Sequence, residues 1–144
     1  MSVQSNVQAG DIVRVGNSDL SGANGKLLVL INSSGAPLFD LPSANTDFAY
    51  YLCVDGDVAT LNTTARPLTA GAEVRVVLKG ACNPGDQLVL ADVATAADAG
   101  KVRALPSTTP GTYRVLGLAE EVGVDGQLVR MRHSMNELVT ISTP

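Results

Sequence analysis

The sequence predicts an all-β chain, a small β-barrel or sandwich of roughly ten short antiparallel strands behind an N-terminal arm. Three observations carry that prediction. Short runs rich in Val, Leu and Ile recur about every ten residues, each bounded by Gly, Pro, Asn or Asp. No long stretch places apolar residues at i, i+3, i+4 and i+7, so helical periodicity is missing. Hydrophobic residues form 45% of the 144 and charged residues only 17%, which favours a buried core over disorder.

Along the chain, residues 1–10 lack periodicity and end at Gly10. They read as an arm, either an ordinary frayed terminus or a segment laid over a neighbour. Residues 11–144 read as a single β domain, with 72–134 its most hairpin-rich part. Strands are expected at Asp11–Val15, Lys26–Asn32 and Leu38–Leu41, the last between two prolines. Phe48–Val54 is expected to turn at Asp55-Gly56 into Val58–Leu61, because Asp-Gly tolerates positive φ. Glu73–Leu78 alternates Glu-Val-Arg-Val, giving one wet and one dry face. Gln87–Ala91, Lys101–Leu105, Tyr113–Ala119, Gln127–Arg132 and Glu137–Ser142 complete the series. The Ala-rich piece Val93–Ala99 is the best helical candidate, as a single turn of helix or a loop.

A weak internal echo runs through the second half. Arg66–Gly71 leads into a strand, the turn Asn83–Asp86 and Gln87-Leu88-Val89. Leu105–Gly111 leads likewise into a strand, the turn Val124–Gly126 and Gln127-Leu128-Val129. A duplicated hairpin and ordinary hairpin grammar both account for it.

Formal net charge is −4 and the pI is about 4.7, with Lys and Arg few and scattered. Nucleic acid and anionic membrane surfaces both demand a positive footprint, so neither is expected as a partner. The first eight residues show no secretory signal. The longest strongly apolar run, Leu27–Ile31, falls far short of the ~18 residues that span a bilayer. The chain is therefore expected to be made in a cytoplasm and to stay soluble. Cys53 and Cys82 are read as free thiols in a reducing compartment; a bridge between them is compatible with the sequence but not required by it.

Each residue that could carry chemistry has a structural explanation. His133 is the only histidine and lacks a nucleophile motif, so it is read as a solvent-facing residue at a strand end. A zinc site needs three or four ligands, more than one His and two isolated Cys supply. Asp55-Gly56-Asp57 offers two carboxylates without the other oxygens of a Ca²⁺ loop and is read as a turn. Glu120-Glu121 lie at a strand end, where adjacent residues face opposite ways, an arrangement poorly suited to glycosidase work. No phosphate-cradling glycine motif occurs. With no Trp, three Tyr and two Phe, sugar-stacking surface is scarce. The sequence thus predicts no enzyme, no metal and no cofactor.

From about Ala72 to Ser134 the chain resembles the capsid decoration, or cement, proteins of tailed bacteriophages. The likeness lies in Val74-Arg75-Val76-Val77-Leu78, Gly80-Ala81, the loop Asn83-Pro84-Gly85-Asp86, Leu88-Val89-Leu90 and Gly100-Lys101-Val102. It closes on Val115-Leu116-Gly117-Leu118-Ala119-Glu120, the turn Gly123–Gly126 and Val129-Arg130-Met131-Arg132. The resemblance implies a virion protein on the outer capsid surface, a major capsid protein as partner, self-association as a homotrimer and no catalysis. Candidate contacts are Ser2, Val3 and Val7 in the arm, and Pro37 and Phe39 in the proline-bounded stretch. Tyr50 and Tyr51 are the adjacent aromatics, one expected to face outward, and Pro106 and Pro110 flank a loop. The alternatives are a tail, spike or fibre module, a small ligand- or sugar-binding barrel, and a trimeric β-fold nucleotide hydrolase. The hydrolase would need an acidic metal motif, which is missing from the sequence.

Overall fold

A computed structural model describes residues 10–142, without the side chains of residues 135 and 136. Ten strands follow one another, with no helix among the described residues. They are β1 (Ile12–Val15), β2 (Leu27–Ser33), β3 (Ala36–Asp40), β4 (Tyr51–Asp55) and β5 (Asn62–Pro67). Then come β6 (Glu73–Val77), β7 (Gln87–Leu90), β8 (Val102–Ala104), β9 (Gly111–Ala119) and β10 (Leu128–Ile141). All ladder pairings are antiparallel. The alternation read from Glu73-Val74-Arg75-Val76 is realised: the two valines are buried while Glu73 and Arg75 face solvent.

The strands form two five-stranded sheets, ordered β1-β5-β4-β2-β3 and β6-β10-β9-β7-β8. The second order is the first with every strand number raised by five. In each sheet the outer strands also meet, at parallel bridges Gly16–Phe39 and Leu78–Val102, so each curls until its edges touch. The hydrogen bonds repeat as well. Gly16 N–H donates to the Leu61 carbonyl (3.1 Å) as Leu78 N–H does to that of Gln127 (2.8 Å). Leu20 N–H donates to Asp57 (2.8 Å) as Cys82 N–H does to Gly123 (3.2 Å). Five corresponding core positions are buried in both copies: Leu20 and Cys82, Leu28 and Leu88, Phe39 and Val102, Cys53 and Ala119, Ala65 and Met131. The molecule is one five-stranded design built twice.

The echo noted in the sequence belongs to a smaller symmetry inside the second sheet. An offset of 41 residues converts the pair Val77–Leu128 into Leu118–Gln87, and Val76–Val129 into Gly117–Leu88. Matching Gln87-Leu88-Val89 to Gln127-Leu128-Val129 uses an offset of 40, one residue out of register. Such a slip turns every side chain to the wrong face. The true counterparts, Leu88 and Val129, are both fully buried.

The two copies are sealed together. Leu27, Ala49 and Leu52 of the first belong to the same apolar cluster as Val76, Leu88, Leu116 and Met131 of the second. Leu27 N–H donates to the Gly100 carbonyl (2.8 Å), and Val77 N–H to that of Gly25 (2.9 Å). At Gly100, with φ +88°, a Cβ would lie 2.9 Å from the Leu27 carbonyl oxygen, so only glycine allows this approach.

Several sequence expectations are corrected. The strand after Asp55 is Asn62–Pro67, not Val58–Leu61. Leu61 N–H bonds back to the Val58 carbonyl (3.2 Å), so those residues are spent on a turn, and the threonines Thr63 and Thr64 fill the buried strand positions instead. Gly56 has no left-handed backbone; it is there because a Cβ would meet the Leu20 carbonyl oxygen at 1.9 Å. Gln127–Arg132 and Glu137–Ser142 merge into the single strand β10, with a bulge between His133 and Glu137. Val93–Ala99, expected as a single turn of helix or a loop, does form turns, with Asp98 and Ala99 N–H both bonded to the Thr95 carbonyl. The arm, with Ser2, Val3 and Val7, lies outside the described residues apart from Gly10.

Candidate adhesion surface

The one histidine and both cysteines are buried. His133 is buried, with Nδ1 2.7 Å from the Leu116 carbonyl and its ring edge-on to Tyr50 at 5.2 Å. This corrects the expectation of a solvent-facing histidine: period-two alternation along β10 puts it on the same inward face as Val129 and Met131. Burial lowers its pKa, against the upward pull of the bond to Leu116. Cys53 and Cys82 are buried free thiols. Burial, helped by the Asp55 charge, pushes Cys53 up to about 12, and burial raises Cys82 too. Among the described residues no three His, Cys, Asp or Glu side chains gather as metal ligands.

Glu120 and Glu121 do reach one common face, because β9 ends at Ala119 and releases them. There they meet arginines of β6 and β10. Arg132 pairs with Glu120 (2.8 Å) and Glu73 (3.8 Å), and Glu121 with Arg75 (3.8 Å) and Arg130 (4.0 Å). Three Glu and three Arg balance, so this face favours neither anions nor cations. Such exposed pairs contribute about 0–1 kcal/mol each.

The open surface of most interest lies on β2. One edge of β2 pairs with β3 from Val29 to Ser33. The other edge pairs with β4 only at Leu27 and Leu28. From Val29 onward no described strand covers that second edge. The hairpin turns at Ser34-Gly35, whose φ angles of 52° and 83° make it type I′. A two-residue loop makes Ser33–Ala36 a hydrogen-bonded pair, and such pairs alternate. Leu30–Phe39 and Asn32–Pro37 are therefore pairs without mutual hydrogen bonds, which is where Pro37 fits without removing a ladder bond. The N–H and C=O groups of Leu30 and Asn32 point at the uncovered edge.

A groove of about 430 Å³ runs beside that edge. Leu30, Ile31, Leu41 and Phe48 supply its apolar wall, and Asp40 and Asp47 its polar rim. Phe48, 58% exposed, is propped in place by the Arg114 guanidinium 4.0 Å above its ring and by Tyr50 at 5.5 Å. Asp40 accepts from Ser18 Oγ (2.6 Å) and Asn17 Nδ2 (2.8 Å); Asp47 accepts from the N–H groups of Ser43 (2.8 Å) and Ala44 (3.1 Å). No Lys or Arg lines the groove.

A solved structure shares this fold. The head fiber gp8.5 N base of bacteriophage phi29 is similar over 95% of this chain and 100% of that one, with a TM-score of 0.63 and 18% identity. No protein-family model matches the chain, and no curated protein matches it in sequence.

The contact candidates from sequence divide by placement. Pro37 and Pro110 are exposed, and Pro106 is half-buried. Phe39 is fully buried in the first copy's core and presents no surface. Tyr50 and Tyr51 are both half-buried, not one in and one out: Tyr50 lies against Phe48 and His133, Tyr51 against Phe39 at 5.4 Å. Pro37 and Phe39 both sit on β3 of the β2–β3 hairpin, across β2 from its open edge, and of the two only Pro37 is exposed. Sequence reasoning passed over Leu30 and Phe48, because each sat inside an expected strand. It also passed over Val122 and Val124, 63% and 61% exposed in the turn after Glu121. An apolar Val-Gly-Val in a turn was the available signal for the latter pair.

Proposed function

We propose that this chain is a non-catalytic structural protein of a bacteriophage particle, attached to the outside of the expanded capsid and stabilising the shell. The observation that carries the reading is the end-to-end fold likeness to the phi29 head fiber base. The decoration-protein resemblance of residues 72–134 supports it, as does the burial of His133 and both cysteines. The partner in this reading is the major capsid protein, with self-association as a homotrimer. A protein that binds only the expanded lattice stabilises that state by mass action, and identical contacts across a symmetric shell add by avidity. Mixing the purified chain with expanded, undecorated capsids of the phage that encodes it is expected to give saturable, stoichiometric binding and a higher capsid melting temperature. Absence of binding to every capsid state overturns the reading.

The fiber-base neighbour favours a second reading, in which the chain anchors a projecting fibre to the head instead of bridging capsid subunits. Electron microscopy of particles carrying the bound chain separates the two. Bridging density over subunit junctions supports the first, and density tethered at one point beneath a projection supports the second.

A further inference from the structure

We infer that the open edge of β2 is a strand-acceptor site that takes one extended segment of another protein, with apolar side chains at alternate positions and a Lys or Arg beside them. The inference deepens the proposed reading, on which it rests for the partner's being a virion protein. Backbone geometry supplies the first argument. Leu30 and Asn32 each aim an N–H and a C=O outward, and no described strand meets them. Unpaired ladder groups on an edge strand are a template for another strand. Side chains supply the second. Successive residues of an added strand face opposite sides, so every other side chain would enter the groove between Leu30, Ile31 and Phe48. Charge supplies the third and selects the occupant. Asp40 and Asp47 are the ionisable residues lining the groove, and no cation accompanies them there. A basic residue beside the apolar ones matches that rim, as it matches a chain of net charge −4.

The second copy of the fold sharpens the point. Its counterpart of β2, β7, pairs with β9 at Gln87 and Leu88, as β2 pairs with β4 at Leu27 and Leu28. β7 then stops at Leu90, whereas β2 runs on to Ser33. Leu90, the counterpart of Leu30, also lies past the β9 pairing, but only the first copy carries the strand on through Asn32 to Ser33.

The 144-residue chain is titrated with the capped peptide Lys-Val-Thr-Val-Thr-Val-Lys while amide exchange is followed by NMR. Protection of the Leu30 and Asn32 amides is expected. Asn32→Pro deletes an outward N–H at a position where its partner Pro37 shows that β2–β3 pairing does not need one. It is expected to weaken peptide binding roughly five- to tenfold. Leu30→Lys, which sets like charge against the peptide, is expected to weaken binding with the β2–β3 amides still protected. Peptide binding that leaves both amides exchanging, or that both variants leave unchanged, overturns the inference. So does self-association of the wild type that Asn32→Pro abolishes, which assigns the edge to a second copy. Protection of both amides before peptide is added, lost on deletion of residues 2–9, assigns it to the chain's own arm and also overturns the inference. Capsid binding retained by Asn32→Pro, with no peptide protection, overturns the groove and leaves the virion reading standing. Protection by peptide with no capsid binding supports the groove and removes the virion reading.

Discussion

Arg114 and Phe48 join the two copies of the fold across their seam: the guanidinium lies 4.0 Å above the ring, and Nε–H donates to the Thr46 carbonyl at 2.8 Å. Arg114 belongs to β9 and is buried, whereas Phe48 sits in the loop before β4 and is largely exposed. The pair thus fixes one wall of the groove from the opposite half of the molecule. A buried charge–carbonyl bond contributes about 1.5–3 kcal/mol and a cation–π contact about 0.5–2 kcal/mol. Arg114→Ala is expected to lower unfolding free energy by about 2–4 kcal/mol in urea titrations, and Phe48→Leu by about 1 kcal/mol. Equal, small effects from both would show that the contact carries little.

His133 makes stability depend on pH in a defined direction. Its folded pKa lies below the ordinary value of 6.5 because burial disfavours the charged ring. Below that ordinary value the unfolded chain binds the proton more readily than the folded one. Stability is therefore complete above about pH 6.5 and is lost as pH falls toward the folded pKa. Denaturant midpoints between pH 7.5 and about 5.5 measure this. His133→Gln is expected to be less stable at neutral pH, having lost the bond to Leu116, but to show a flatter profile over that range. A wild type whose stability rises on acidification contradicts the assignment.

Both thiols are expected to be inert in the folded protein. Cys53 is held as a thiol by burial, and Cys82 is 3% exposed and raised in the same direction. A disulfide-exchange reagent at about pH 8 should label neither under native conditions and both in denaturant. Rapid native labelling of Cys53 would mean that the first copy opens locally far below global unfolding.

Gly56 is expected to tolerate no side chain. Its Cβ position lies 1.9 Å from the Leu20 carbonyl oxygen and 3.2 Å from Cys53 Sγ, and backbone cannot yield as a flexible side chain can. Gly56→Ala should cost at least about 2 kcal/mol, read from the urea midpoint. Gly22→Ala, where a Cβ would meet nothing within 4 Å, should cost far less.

What is local was legible in the residues: the all-β class, nearly every strand from β1 to β10, and the lack of a nucleophile motif beside the only histidine. Turn residues and period-two alternation act over a few positions, so they are visible without a fold. Tertiary structure alone decided the doubled architecture. Corresponding core positions hold Phe39 against Val102 and Ala65 against Met131, because a core requires fitted total volume, not matched residues. It also decided the burial of His133, whose face of β10 is covered by Tyr50 and β9, and the burial of Thr63 and Thr64 in a strand that reads as polar. The open β2 edge was beyond reach for the same reason. Whether a strand is central or bare depends on where β4 begins beside it, at Tyr51, more than twenty positions along the chain from its partner Leu28.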